Sequence, residues 1–258
     1  MSASQVSAIA TPPSSADALD AILCGIAEAS VAAGRAIPTR LLAVSKTRDA
    51  EEIARLAATW AARGDGAALA FGENYVQEAL AKRPALADLG LEWHLIGHLQ
   101  SNKAKEAATA FDWVQTVDRP KLIAALAAHR PPERTPLNVL IQVNIDDEAS
   151  KHGCAPDAVN ALAAAIAAEP RLRLRGLMAI PAPDPDMARR REAFRRMREL
   201  YDALAARHPS VDTLSMGMSE DYALAIAEGA TLVRVGTALF GPRAAIATSP
   251  TPQEPAAS

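Results

Sequence analysis

Cysteine is almost missing from this chain. Cys24 and Cys154 are its only two among 258 residues, and they show no close spacing. That speaks against a disulfide framework and fits a reducing cytosol. Aromatic residues make up only 4%, so a core must be built from Ala, Leu, Val and Ile. No charge of one sign dominates: the net charge is -3 and the pI is near 6.0, so nothing global suggests nucleic acid. No apolar run reaches the ~18 residues that a membrane span needs. The opening "MSASQVSAIATPPSSADALD" has neither a basic region nor an apolar one, so it does not read as a secretory signal. A cytoplasmic location away from membranes is expected.

What is present is an alternation. Short apolar runs are separated by Ala-rich helical stretches. The runs are Arg40–Lys46 ("RLLAVSK"), Ala68–Asn74 ("ALAFGEN"), Trp93–Gly97 ("WHLIG") and Trp113–Asp118 ("WVQTVD"), followed by Val139–Ile145 ("VLIQVNI"), Leu174–Ile180 ("LRGLMAI"), Thr213–Met218 ("TLSMGM") and Leu232–Phe240 ("LVRVGTALF"). Near-continuous apolar strands suit a parallel sheet buried on both faces. Helices fit between them over Ala50–Ala62, Ala155–Ala168 and Met187–Arg207, and a leading helix spans Ala16–Gly34. Start signals stand at Asp49, Pro156-Asp157 and Ser219, and Gly229 is a stop. Eight strands with intervening helices predict an α/β fold, a single-domain (β/α)8 barrel over residues 16–243, with an open doubly wound sheet as the alternative. The Pro/Ser/Ala-rich ends, residues 1–15 and 244–258, are expected to be disordered.

In such a barrel the reactive site is built at the carboxyl ends of the strands. Lys46 ends strand 1, where an amine on a buried strand meets the rim. Asn74 ends strand 2, and His94 and His98 lie on strand 3. "SMGMSED" after strand 7 is a glycine turn with Ser219 placed to open a helix, and "VGTALFG" in strand 8 offers Gly236 and Thr237. Singly, each glycine serves a tight turn. Together, at strands 7 and 8, they read as a phosphate cup, because unpaired N–H groups at helix starts bind anions. Arg234 shares a strand face with Gly236. A buried guanidinium needs a partner: either a carboxylate such as Glu73 or Asp118, or a ligand atom beyond the phosphate. An amine, a phosphate cup and an arginine between them suit pyridoxal 5'-phosphate. Arginine only donates, so the ring nitrogen would stay unprotonated and the ring would be a poorer electron sink.

The stretches "LLAVSKTR", "FGENYVQEAL", "WHLIGHLQSNK", "VNIDDEASKHG", "RGLMAIP" and "LSMGMSEDYALAIAEGATLVRVGTALFG" occur in this order between Leu41 and Gly241. Together they resemble the pyridoxal-phosphate homeostasis protein family, a single-domain barrel similar to the N-terminal domain of alanine racemases. The resemblance implies that Lys46 is the Schiff-base lysine and that Arg234 faces the pyridine nitrogen. It implies further that Ser215, Ser219, Gly236 and Thr237 hold the phosphate and that Asn74 and His94 border the ring. It implies a monomeric carrier that buffers and delivers pyridoxal phosphate in vitamin B6 and amino-acid balance, with apo pyridoxal-phosphate enzymes as recipients.

Other features read more plainly. His94 and His98 are four apart, but on a strand, which is not the metal spacing of a helix. Lys151 reads as a solvated loop lysine, and "RRREAFRRMR" (Arg189–Arg198) as a solvated helix face. A racemase using the same cofactor is the alternative function; a phosphate-sugar enzyme with Lys46 as its amine is the third. Against the racemase stands the want of a second domain with an opposing tyrosine. The three tyrosines are Tyr75, Tyr201 and Tyr222; Tyr75 and Tyr222 lie near strand ends, which leaves a surrogate base open.

Overall fold

The apolar runs become strands of one sheet, and the Ala-rich stretches become its covering helices. The computed structural model of the protein describes residues 15–64, 69–146, 152–182 and 184–241. Residues 1–14, the tail from 242 and Lys151 lie outside them. Ser15, expected in the irregular N-terminus, is instead the first residue of helix α1, Ser15–Ala32. Strand and helix then alternate: β1 Arg40–Val44, α2 Ala50–Ala61, β2 Ala70–Glu73, α3 Val76–Lys82, β3 Glu92–Leu95, α4 Ala104–Ala110, β4 Trp113–Val117 and α5 Pro120–His129. The second half adds β5 Leu137–Gln142, α6 Val159–Ala167, β6 Leu172–Met178, α7 Met187–Ala205, β7 Thr213–Ser215, α8 Tyr222–Ala227, β8 Leu232–Val235 and a single turn, α9, Thr237–Phe240.

The eight strands form a closed parallel barrel in sequence order. Closure is made where β1 pairs with β8, Leu41 opposite Val233 and Leu42 opposite Arg234. That pairing decides for the (β/α)8 barrel over the open sheet.

The rim differs from the sequence expectation in a consistent way. β1 ends at Val44 rather than Lys46, β7 at Ser215, and β8 at Val235. The rim residues belong to turns, and "GTALF" is a glycine followed by a helical turn. Asp49 caps α2 as a full capping box: it accepts from the Glu52 N–H at 2.8 Å, and Glu52 accepts from the Asp49 N–H at 3.1 Å. Ser219 does not open α8. Asp221 precedes that helix, and its carboxylate accepts instead from the Met218 N–H at 2.7 Å. Gly229, at φ 100°, ends it as expected.

Strand alternation separates two apolar regions. Leu41, Ala43, Phe71, Trp93, Leu95 and Val114 point outward into one continuous core shared with the helices. Leu42, Ala70, Ile96 and Leu232 form a smaller cluster in the lumen, and Trp113, Leu140 and Met178 form a second. Buried His94, Gln115, Ser215 and Arg234 share the lumen with them. Much of the basic stretch on α7 is paired with carboxylates: Arg191 with Glu228, Arg195 with Glu192 and Glu199, and Arg198 with Asp202. It is the solvated face that the sequence suggests.

Gly176 is a position where only glycine fits. It adopts φ 145°, and a Cβ there would lie 1.8 Å from the carbonyl oxygen of Thr213 on β7. Gly176→Ala should therefore lower the unfolding free energy by on the order of 3 kcal/mol, against about 1 kcal/mol for Asp49→Ala at the α2 cap. Denaturant titration checks both, and equal losses would mean that β6 and β7 part without cost.

Candidate functional site

A cavity of about 530 Å³ opens at the carboxyl ends of the strands. Six of the eight residues expected there line it: Lys46, Asn74, Ser219, Arg234, Gly236 and Thr237. Lys46 shares the inward face of Leu42 and Val44, while Ser45 before it points outward and is fully buried. Lys46 itself is exposed at the rim. The residue after it, Thr47, has φ 64°, a left-handed conformation that a β-branched residue rarely adopts.

Two glycines allow the wall to close. A Cβ at Gly97 would lie 2.1 Å from the carbonyl oxygen of Asn74, so glycine lets the turn after β3 pack on the residue that follows β2. A Cβ at Gly236 would lie 3.2 Å from both the Cβ and the carbonyl oxygen of Val44. The β8 turn is thus drawn against the strand that presents Lys46.

Arg234 is buried, with 4% of its surface exposed. Its Nη1 donates to Ser215 Oγ and its Nη2 to the Ala179 carbonyl, each at 2.8 Å. Burial pulls its pKa down to about 10, which leaves it cationic near neutrality. Neither of the carboxylates considered as its partner reaches it. Glu73 points out of the barrel and pairs with Lys82 at 2.9 Å; Asp118 pairs with Arg119 at 2.6 Å.

His94 and Ser215 lie below the cavity wall. Both are fully buried and neither lines the cavity. The reason is strand register: Ile96 and His98, above His94 on the same face, take the wall positions, as Ser219 does beyond Ser215. The two lower residues belong to a chain of hydrogen bonds through the lumen. Ser215 Oγ donates to Gln115 Oε1 at 2.7 Å. Gln115 Nε2 meets His94 Nδ1 at 2.8 Å, and His94 Nε2 meets Glu92 Oε1 at 2.7 Å. Glu92 is also paired with Arg40 at 2.8 Å. Burial holds the His94 pKa below the usual imidazole value. Burial pushes Glu92 up, but the His94 and Arg40 contacts outweigh it and hold that carboxyl at about 2. The Ser215 hydroxyl is therefore committed to Arg234 and Gln115.

The cavity also takes residues that the sequence reading passed over: Arg48, Gln142, His152 and Arg190. Gln142 has the inward parity of β5 and could have been found by counting. His152 could not. It arrives because Cys154 pairs beside Val143, with its N–H on the Gln142 carbonyl at 2.8 Å. There His152 stacks on His98 with ring centres 3.8 Å apart. Tyr75 opens onto a neighbouring cavity, Tyr222 turns its hydroxyl toward Gly25 of α1, and Tyr201 lies on α7. No described tyrosine lines the Lys46 cavity.

A sequence profile described as the alanine racemase N-terminal domain matches residues 19–244. The pyridoxal phosphate homeostasis protein of Pseudomonas aeruginosa is 53% identical over 219 residues, which cover 84% of this chain and 91% of that one. The chain belongs to this family. The family member of Escherichia coli that carries the same name is 51% identical over 206 residues, 79% of this chain and 85% of its own. Among solved structures, PipY from Synechococcus elongatus with PLP bound superposes with a TM-score of 0.69 at 36% identity, covering 84% of this chain and 100% of PipY.

The lumen chain predicts an acid dependence. The Glu92 pKa in the fold, about 2, lies below its ordinary 4.5, so its contribution is complete above 4.5 and is lost as pH falls toward 2. Glu92→Gln should be less stable than the parent at neutral pH, and the gap should narrow over that acid window. Urea titrations across the window check it; a gap independent of pH would show that the chain does not end on an ionised Glu92.

Proposed function

We propose that this protein binds pyridoxal 5'-phosphate in the strand-end cavity and buffers and delivers it for vitamin B6 and amino-acid homeostasis, without efficient amino-acid turnover of its own. The observation that carries the reading is one cavity that joins an exposed primary amine, Lys46, to a buried guanidinium, Arg234, and to the turns after β7 and β8. The names of the relatives and the PLP bound to PipY support it.

The donor set suits the group. Pyridoxal phosphate supplies an aldehyde that a primary amine attacks with loss of water, a phosphate dianion, and a ring nitrogen that accepts a hydrogen bond. Lys46 is the amine. The Gly236–Thr237 backbone and the Thr237 and Ser219 hydroxyls are the phosphate holders, in a cradle that a larger residue at 236 would press into Val44. Arg234 donates to the ring nitrogen and, unable to accept a hydrogen bond, keeps it unprotonated. Asn74 stands beside the ring. His94 and Ser215 act one layer down, holding Arg234 in place.

The same cavity argues for holding over racemisation. Two-base proton exchange needs a second group facing Lys46 across the substrate, and none of the three tyrosines lines the cavity. Recipient apo-enzymes belong to the delivery half of this proposal.

The purified protein should show a visible absorption band that borohydride abolishes, with the label on Lys46 in peptide maps and neither band nor label in Lys46→Ala. Pyridoxal should bind more weakly than its phosphate. Lysine-dependent formation of D-amino acids at ordinary enzyme rates would overturn the carrier. Label on Lys103 or Lys151 with Lys46 untouched would overturn Lys46 as the attachment residue.

A further inference from the structure

Outside the barrel wall, on the face of the sheet away from the cavity, lies an ion cluster that the function above does not use. Lys82, near the end of α3, is 8% exposed. Its Nζ donates to Glu73 Oε1 at 2.9 Å, to Glu78 Oε1 at 2.6 Å and to the Ser45 carbonyl at 3.0 Å. Glu73 is fully buried, and the Ser45 hydroxyl donates to it at 2.6 Å. Burial raises the Glu73 pKa, and the Ser45 and Lys82 contacts oppose that rise. Glu78 Oε1 also accepts from the Thr47 N–H.

A buried lysine needs a carboxylate, and Glu73 alone would meet that need. The remaining bonds have a different direction. The Ser45 carbonyl belongs to the peptide unit before Lys46, and the Thr47 N–H belongs to the peptide unit after it. Lys82 holds the first directly and the second through Glu78. With both flanking peptide planes held, φ and ψ of Lys46 are fixed, and so is the direction of its Cα–Cβ bond. Thr47, at φ 64°, is the only non-glycine with positive φ among the described residues. Strain of this kind persists only where the surroundings hold it, and the Glu78 carboxylate holds the N–H of this residue.

We propose that Lys82, acting with Glu78, is the positioning residue for Lys46: it sets the strained turn that aims the amine into the cavity. The inference rests on Lys46 as the attachment residue. It goes beyond that reading by assigning the aim of the amine to a cluster on the opposite face of the sheet.

The test separates aim from fold by using two ligands with the same ring and phosphate. Pyridoxal 5'-phosphate can attach to Lys46; pyridoxine 5'-phosphate, an alcohol, cannot. In Lys82→Met and in Glu78→Leu, the rate of borohydride-trapped labelling at Lys46 should fall on the order of 10-fold or more, while the dissociation constant for the alcohol stays within about twofold. Glu78→Gln keeps an amide oxygen for the Thr47 N–H and should retain most of the labelling rate. Thr47→Gly added to Glu78→Leu should restore part of it, because glycine takes positive φ without help.

Equal weakening of both ligands would make the cluster merely structural and overturn the proposal. Unchanged labelling would overturn it as well. If Lys82→Met does not fold, Glu78→Leu and its two companions decide alone, since Glu78 is partly exposed. Wild-type label found away from Lys46 would overturn the attachment reading together with this one. Label on Lys46 that the variants leave undiminished would overturn this one only.

Discussion

The interior of this barrel is organised around one cation. Arg234 sits in the lumen with no carboxylate among the described residues paired to it. Placing a charge there costs several kcal/mol unless its donors are answered. Ser215 and the Ala179 carbonyl answer two of them. Ser215 then has one proton to give, and Gln115 takes it. Gln115 in turn gives to His94, and His94 to Glu92 at the other end of the barrel. Each group donates in the same direction, from the guanidinium toward a carboxylate that stays ionised. His94 fits only as the neutral ring with its proton on Nε2, a tautomer assigned from its partners. Burial favours that neutral form. A positive end near the cavity and a negative end near solvent are thus linked through side chains that would each be costly if left unpaired.

Lys46 is held by a separate system on the other face of the same sheet. Strand alternation makes this possible: Ser45 points out to Glu73, and Lys46 points in. The outer cluster touches the backbone on both sides of Lys46 and leaves its side chain free. The guanidinium, by contrast, is gripped by its own side-chain atoms. Lys46 and Arg234, which line the cavity from the neighbouring strands β1 and β8, therefore differ in kind. One is bonded at its head group; the other is bonded through the peptide groups on either side of it and has an exposed side chain.

The barrel was legible from the sequence because its signals are redundant. Apolar runs, helix starts such as Asp49 and the regular spacing all point to alternating strands and helices, and the β1–β8 pairing then decides for closure over the open sheet. The rim was legible less well. "LVRVGTALF" reads as one apolar strand, yet Gly236 ends the ladder and the next four residues turn into a helix. Hydrophobicity carries no mark of that change. The depth of Ser215 and His94 was not legible for a related reason: alternation tells which face a residue takes, not where along the strand the cavity floor lies. Register between neighbours fixes that depth, and β3 reaches the wall with Ile96 and His98 instead. Lys82 was invisible for a third reason. In "YVQEALAK" it reads as an ordinary helix lysine four residues after a glutamate, and only the packing of α3 against β2 buries it.

On the proposed reading, the contrast between the two cations bears on why such a site would hold a cofactor rather than use it. Turnover at a carbanion centre is favoured by an electron-poor ring, a second proton-transfer group and shelter from water. Arg234 cannot give its proton up near neutrality, and a ring facing it stays electron-rich. No tyrosine faces Lys46 across the cavity. Lys46 itself is exposed at the rim, where water and incoming amines reach it. Each feature alone is compatible with catalysis. Together they suit what binding needs, an amine within reach and an anion cradle. An attachment that water can reach is also one that can be undone, and reversibility at Lys46 is the property that a carrier requires.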